Sequence, residues 1–200
     1  MKIILIVEGA TESALKQHLK SFLDQRARAA GKSPVRLETR GEMTLDRNKL
    51  RGRVRRELRG SDVVGVVGLI DVFPEFSNAA EAKAFLRNAA GNEPRFYAHA
   101  AQFDVEAWLL PYWDDICRRI RVRQSPPGGN PEMVDNLNPP AYRLKALYQR
   151  SRPKPRKYVK TTEMYAILKG KDLTIAAARC PEFKAFLNTL LALSDLEPLP

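Results

Sequence analysis

The 200-residue chain has little of what marks a membrane or secreted protein. No apolar run approaches the ~20 residues that a membrane-spanning helix needs. The apolar stretch at residues 3–7 is too short for the core of a signal peptide, and it runs straight into Glu8. We therefore expect a cytoplasmic protein with no membrane partner.

Cysteine and histidine are also scarce. The two cysteines, Cys117 and Cys180, fit neither a disulfide framework nor a Cys-rich zinc site, and the simplest interpretation is two half-buried thiols. The two histidines are His18 and His99, and the sequence has no nucleophile elbow to accompany them. A serine hydrolase is therefore disfavoured.

Glycine-rich phosphate-binding loops are missing. The first apolar strand is followed by Glu8-Gly9-Ala10-Thr11, without the three-glycine fingerprint of dinucleotide-binding folds. The segment Gly170-Lys171-Asp172 lacks both the hydroxyl residue and the upstream strand of a Walker loop. Dinucleotide binding and ATP hydrolysis by a Walker loop are therefore not expected of this chain.

Positive charge is what the sequence has in excess, and it is unevenly distributed. The net charge is +11 and the isoelectric point is about 9.9, which favours a polyanionic partner such as DNA or RNA. Residues 16–59 carry +9 and residues 118–160 carry +10, whereas residues 60–117 between them carry −6. The acidic block indicates either a divalent-cation site beside a phosphate backbone or a solvated acidic face, and charge alone does not choose between them.

Strand-like and helix-like segments alternate through the first 120 residues. Continuous β-branched runs are typical of parallel strands buried on both faces, and apolar stripes at helical spacing predict helices. The predicted strands are 3–7, 35–38, 62–73 and 95–102; the predicted helices are 11–31, 47–59, 79–90 and 104–119, the last with Asp104 as N-cap and a kink or break at Pro111. This order predicts an α/β fold with a parallel sheet of about four strands flanked by helices.

The remainder of the chain reads as a helical extension of that fold. Residues 124–140 are rich in proline and glycine and predict a loop. A short helix at 141–150, a basic strap at 151–160 and a helix that Pro181 begins should follow. We expect one domain overall: an α/β core at 1–123, the loop 124–140, and a C-terminal part, 141–200, that packs on the core.

Acidic residues stand where the predicted strands end. Glu8 follows the first strand, Asp71 closes the third, and the segment from His99 to Glu106 follows or ends the fourth. Functional residues of parallel sheets gather at the carboxyl ends of the strands. A carboxylate cluster without His or Cys is the ligand set of Mg²⁺ or Mn²⁺ rather than zinc, and such an ion could activate water beside a phosphodiester.

The sequence resembles the Toprim domain, the metal-binding fold of topoisomerases, primases and OLD-class nucleases. The resemblance rests on Ile4 to Glu12 with its Glu8-Gly9 turn and on the strand ending Leu69-Ile70-Asp71. More closely, the chain is similar to a Toprim-like family of bacterial proteins often encoded beside ATPases and in defence loci. That similarity rests on three further segments: 95–109, Tyr158-Val159-Lys160, and 180–187 with Cys180-Pro181-Glu182-Phe183.

The resemblance implies roles for individual residues. Glu8 would be a metal ligand or general base, and Asp71 would be the first acid of an Asp-x-Asp motif. Phe73 stands in the place of the second acid, so Glu106 would supply the missing metal ligand. Lys160 would stabilise negative charge on phosphate, and His99, together with Gln102, would orient Glu106 or a water.

We therefore expect a Mg²⁺- or Mn²⁺-dependent nuclease, or a nuclease subunit, that acts on DNA or RNA. The resemblance adds an ATPase partner and a role in phage defence as possibilities. The sequence leaves the oligomeric state open. The phosphate-binding residues would lie on the basic helix and the strap: Arg47, Arg51, Arg55, Arg59, Arg152, Lys154, Arg156 and Lys157. Two alternatives remain. One is a non-catalytic Toprim-like module that binds or regulates an ATPase or a nucleic acid, and the other, disfavoured, is a receiver-type phosphoacceptor site formed by Glu8, Asp71 and Lys160.

Overall fold

A computed structural model of the chain describes residues 1–40, 43–133 and 138–200, and within these it describes every side chain except those of residues 10–13. The strands are β1 (Lys2–Val7), β2 (Arg36–Arg40), β3 (Val63–Asp71) and β4 (Phe96–Ala101). The α-helices are α1 (Ala10–Ala29), α2 (Arg47–Glu57), α3 (Ala79–Ala89), α4 (Trp113–Ile120), α5 (Pro140–Gln149), α6 (Lys160–Leu168), α7 (Leu173–Ala177) and α8 (Pro181–Leu193). Two 3-10 helices cover Val105–Tyr112 and Pro131–Met133.

The four strands form one parallel sheet in the order β2-β1-β3-β4. The predicted α/β architecture, with helices around a parallel sheet and a helical C-terminal region, is therefore confirmed. The alternation of side chains along β3 divides its buried residues between two apolar clusters, one with Val67 and Leu69 and the other with Val66 and Ile70. The sheet is buried on both faces, as the continuous β-branched runs predict.

The helices that connect the strands lie on opposite faces of the sheet. Helix α1 buries Leu15 and Leu19 in one cluster, whereas α2 and α3 bury Leu50 and Leu86 in the other. The chain therefore leaves β1 toward one edge of the sheet and leaves β3 toward the other. This reversal makes the β1–β3 boundary the topological switch point, where the carboxyl ends of parallel strands open a crevice.

The C-terminal helices pack on the α1 face of the sheet. Trp108 stacks on Phe183 of α8 with ring centroids 4.5 Å apart, and it lies 5.8 Å from Phe186. One apolar cluster contains these rings together with Leu19 of α1 and Leu69 of β3. Within the described residues, no helix has both the length and the apolar character that crossing a bilayer requires.

The segment after β4 differs in part from its prediction. The chain changes from 3-10 to α-helix beside Pro111, as expected, and Asp104 occupies the N-cap position. The Asp104 carboxylate nevertheless makes no capping bond and instead accepts the backbone N–H of Ala141 at 3.1 Å. Helices α6 and α7 were not predicted, and residues 134–137 of the predicted loop lie outside the described residues. Cys117 and Cys180 are free, buried thiols.

Candidate functional site

Glu8 and Asp71 meet at the switch point of the sheet. Strands β1 and β3 are adjacent, Glu8 directly follows β1, and Asp71 is the last residue of β3. The backbone N–H of Asp71 donates to Oε2 of Glu8 at 3.2 Å. The Glu8 side chain is exposed and Asp71 is half-buried, so both carboxylates lie where the crevice meets solvent.

Asp71 also anchors the chain that follows β4. Its Oδ1 accepts the backbone N–H of Val105 at 3.0 Å. Pairing continues past the end of the strands, since the N–H of Val72 bonds to Ala101 and that of Phe73 bonds to Phe103. These bonds draw the start of the 3-10 helix, with its two acids Asp104 and Glu106, toward the end of β3.

Glu106 forms a buried ion pair with Lys160. The Glu106 side chain is fully buried, and its two carboxylate oxygens lie 3.1 and 3.3 Å from Nζ of Lys160, the first residue of α6. Burial, and then the nearby charge of Asp104, raise the pKa of Glu106 to about 7. Burial alone would lower the pKa of Lys160, but the negative charges of Glu106, Asp71 and Asp104 outweigh it and raise that pKa.

A second buried acid, Asp104, and a buried phenol, Tyr158, lie near the ion pair of Glu106 and Lys160. Burial raises the pKa of the Asp104 carboxyl, against the bond from Ala141 and the charge of Lys160. Tyr158 is buried, and burial followed by the charge of Glu106 raises its pKa. Lys160 is therefore the cation that balances three carboxylates, those of Asp71, Asp104 and Glu106.

The carboxylates fit a divalent cation only in part. Glu8 and Asp71 present oxygen ligands at an accessible strand end, and Mg²⁺ is commonly held by one or two carboxylates together with waters and substrate phosphates. Glu106 is buried and bound to Lys160. Among the side chains that the structure describes, no group of three or more His, Cys, Asp or Glu residues is arranged to hold a metal ion. The arrangement therefore favours one ion on Glu8 and Asp71 over an ion bound by all three predicted ligands.

His99 lies apart from this pair. It pairs with Leu69 in the sheet, two residues before the pairing of Ala101 with Asp71. Its Nε2 lies 3.0 Å from the Thr189 hydroxyl of α8, and burial, followed by the charges of Lys83 and Arg87, lowers its pKa to about 4. Oε1 of Gln102 accepts the N–H of Ala79 and supports the start of α3. The structure thus places His99 against α8 and Gln102 against α3.

The predicted phosphate-binding residues fall into two groups. Most are exposed, and this group comprises Arg47, Arg51, Arg55 and Arg59 on or just after α2 and Arg152, Lys154 and Lys157 in the strap. Arg156 is different, because its guanidinium lies 3.3 Å from the buried carboxylate of Glu163. Arg156 therefore contributes to packing in the C-terminal part.

A concave arginine cluster contains one cation predicted from the sequence, Arg152, and three that were not predicted, Arg121, Arg123 and Arg150. The ends of α4 and α5 enclose a cavity of about 370 Å³ whose lining includes Arg121, Arg123, Arg150 and Arg152, all of them exposed. Arg150 donates to Oε1 of Gln124. Within the part of the chain that the structure describes, none of the four forms an ion pair. The +10 charge of residues 118–160 is the signal that could have found Arg121, Arg123 and Arg150 as well.

The fold and site define an α/β protein with acids at the switch point of a parallel sheet. The chain belongs to the family described as "Domain of unknown function (DUF4276)", whose model matches residues 7–191. No curated protein matches the chain. It is similar in structure to the C-terminal region of the Burkholderia pseudomallei OLD protein, with a TM-score of 0.50 and 14% sequence identity over 92% of this chain and 96% of that one. At this identity, the similarity is one of fold.

Proposed function

We propose that the chain is a Toprim-type nuclease, or the nuclease subunit of a larger assembly, that hydrolyses phosphodiester bonds in DNA or RNA with Mg²⁺ or Mn²⁺. The contact between Glu8 and the backbone of Asp71 at the switch point carries this proposal. It places the Glu8 carboxylate against the backbone of Asp71, at the sheet edge where ligands of open α/β folds bind. The fold similarity to the OLD protein region agrees with it.

Glu8 and Asp71 would hold the cation. A divalent ion there supplies Lewis-acid stabilisation of phosphate charge and lowers the pKa of a water. The hydrogen bond from Val105 to Asp71 Oδ1 fixes the orientation of that carboxylate, and the bond from the Asp71 N–H does the same for Glu8. The chain therefore positions its two ligands before any ion arrives.

Lys160 would neutralise the phosphate that is cut. Its ammonium is held by Glu106 and lies within the field of Asp71, and its side chain is about one-third exposed. Glu106 thus acts as a positioning residue for Lys160. The positive charge of Lys160 offsets part of the negative charge of Asp71, Asp104 and Glu106, so these acids repel an approaching polyanion less.

The cationic surfaces would hold the remainder of the nucleic acid. The exposed arginines of α2, the strap cations and the arginine cluster, which shares Arg152 with the strap, supply exposed positive charge. Arginine pairs with phosphate through two parallel hydrogen bonds, which suits backbone binding without sequence preference. An ATPase partner and a defence role belong to this proposal through the family resemblance alone.

The first test is metal-dependent cleavage. Purified protein would be mixed with Mg²⁺ or Mn²⁺ and supercoiled plasmid, single-stranded DNA or transfer RNA, and the products would be separated by electrophoresis. Glu8→Gln and Asp71→Asn should each lower the cleavage rate at least about 100-fold, because metal stabilisation is worth several kcal/mol in the transition state.

Glu197→Gln is the matched control, since Glu197 is an exposed acid near the end of the chain. It should cut at the wild-type rate, and thermal melts should show all three variants folded. Equal cleavage by wild type, Glu8→Gln and Asp71→Asn would discard the assignment of the metal site to Glu8 and Asp71. No cleavage of any substrate by wild type would remove the enzymatic proposal.

One observation favours a second function, a non-catalytic module that binds or regulates an ATPase or a nucleic acid. Phe73 occupies the position of a second strand-end acid, and its side chain is exposed to solvent. Isothermal titration with Mn²⁺ separates the two functions. A nuclease must bind the ion through Glu8 and Asp71, whereas a regulatory module need show no binding.

A further inference from the structure

Two exposed aromatic side chains contact each other beside the acid pair. Phe73 is 43% exposed and Tyr142 is 50% exposed, and their ring centroids lie 6.5 Å apart in an edge-to-face arrangement. Among the exposed large apolar residues in the described ranges, this is the one pair of aromatic rings in mutual contact. A joined pair is more unusual than exposed apolar residues scattered singly over a surface.

The backbone places both rings next to the candidate site. Phe73 lies two residues after Asp71, and its N–H continues the strand pairing by bonding to Phe103. Tyr142 follows Ala141, whose N–H bonds to the Asp104 carboxylate. Asp104 in turn contributes to the charge around Lys160. The aromatic pair and the acids therefore share the same end of the sheet.

A cation accompanies the rings. Nζ of Lys145, one helical turn after Tyr142 in α5, lies 5.0 Å from the Tyr142 ring centroid. An aromatic face beside an ammonium group is complementary to a nucleotide, whose base offers a π-face and whose phosphate offers negative charge. A membrane surface or an apolar protein would complement the rings but not the combination of acids, cation and rings at one edge.

We propose that Phe73 and Tyr142 form a stacking platform for an unpaired base, and that the chain binds single-stranded nucleic acid in preference to duplex. The inference rests on the proposed function, because the base that stacks would belong to the strand whose phosphate reaches Glu8 and Asp71. Duplex bases are stacked on one another and hide their faces, whereas single-stranded bases are free to stack on side chains. The apolar ring at position 73 thus supplies substrate selection where a second carboxylate would have bound metal.

The test measures binding without cleavage. Fluorescence anisotropy would follow a labelled single strand of about twelve nucleotides, a length within the range of known single-strand sites, in buffer containing EDTA. Phe73→Ala and Tyr142→Ala should each weaken binding by about 5-fold to 150-fold, because one base–aromatic stack contributes about that much. Phe73→Trp and Tyr142→Phe should bind the strand as tightly as wild type, since both keep an aromatic ring at the position.

Three comparisons separate stacking from charge and folding. Tyr165→Ala removes another exposed ring, in α6, and should leave binding unchanged. An abasic strand of equal length should bind wild type and the alanine variants equally, because it keeps the phosphates and lacks the bases. Duplex of the same length should likewise show no difference between them.

Equal binding of the intact single strand by wild type, Phe73→Ala and Tyr142→Ala overturns the proposal. So does sedimentation showing a wild-type dimer that these variants dissociate, since the rings would then face a second copy. Because EDTA prevents metal-dependent cleavage, the outcome is independent of nuclease activity. A chain that stacks bases but never cuts would keep this inference and lose the proposed function.

Discussion

Two buried glutamates, Glu106 and Glu163, are stabilised to very different degrees. Glu163 of α6 accepts hydrogen bonds from Nε of Arg119 at 2.9 Å, the Tyr148 hydroxyl at 2.8 Å and Nη2 of Arg156 at 3.3 Å. Glu106 has the Lys160 ammonium as its cation and lies near a second buried acid, Asp104. The Glu163 carboxylate therefore has three side-chain donors, whereas the Glu106 carboxylate has one cation and a neighbouring negative charge.

The difference separates a structural ion pair from one that suits a functional site. The Glu163 group links α4, α5 and α6 through three side chains. The Glu106 pair lies beside Asp71 and leaves Lys160 with three acids around it. Perturbed acids next to a crevice are typical of functional sites, whereas saturated pairs are typical of packing. The number of donors to the buried glutamate therefore distinguishes the structural role of Glu163 from the candidate functional role of Glu106.

The largest effect is expected at the saturated pair. Glu163→Gln should lower the free energy of unfolding by about 3 kcal/mol, near the lower end for breaking a buried pair, because Arg119 and Arg156 are 37% and 40% exposed and can be partly solvated. Urea titration of the variant against Glu197→Gln, an exposed acid, measures the loss. A change below about 1 kcal/mol would contradict the structural role assigned to Glu163.

A second prediction concerns the pH dependence at Glu106. Its pKa is raised from 4.5 to about 7 in the folded state, so the folded chain holds a proton that the unfolded chain releases between those values. Wild-type stability should therefore fall relative to Glu106→Gln as pH rises from about 4.5 to 7, by up to about 3 kcal/mol. Denaturant melts of both proteins at several pH values would show it.

Parallel plots of unfolding free energy against pH for wild type and Glu106→Gln would contradict this prediction. That result would mean that Lys160 fully compensates Glu106, as the three donors compensate Glu163. A constant difference at Glu106 would remove the electrostatic distinction between the two glutamates.

The fold and the Glu8–Asp71 pair could be predicted from sequence because their signals are local. Uninterrupted apolar runs mark buried parallel strands, and carboxyl ends of such strands share one edge. Helix α6 was missed because Glu163 lies on its buried face, where a charge interrupts the apolar stripe. The donors that allow this burial, Arg119 and Tyr148, come from other helices, and sequence spacing does not reveal them.

Arg156 was assigned to phosphate binding for the same reason, because sequence spacing does not reveal its partner Glu163. Arg156 and Arg152 belong to one basic run, and both were therefore predicted to bind phosphate as residues of the strap. In the structure, Arg152 is exposed and lines the arginine cluster, while Arg156 bonds to Glu163. Charge density along a chain shows how many cations are present, and only the fold shows which of them already have a carboxylate.

The smallest predicted effects separate these two arginines. Arg152→Gln should leave stability unchanged and make the plot of log affinity against log salt shallower by about 0.9 for duplex DNA, the contribution of one phosphate contact. Arg156→Gln should instead lower the free energy of unfolding by about 1 kcal/mol, because a hydrogen bond to a buried carboxylate is lost from a partly exposed guanidinium, and should leave the salt slope near its wild-type value. Anisotropy titrations across a salt series, paired with urea melts, measure both quantities. If both variants reduced the slope equally, Arg156 would have to exchange Glu163 for phosphate on binding, and the division between packing and phosphate-binding cations would not hold in the complex.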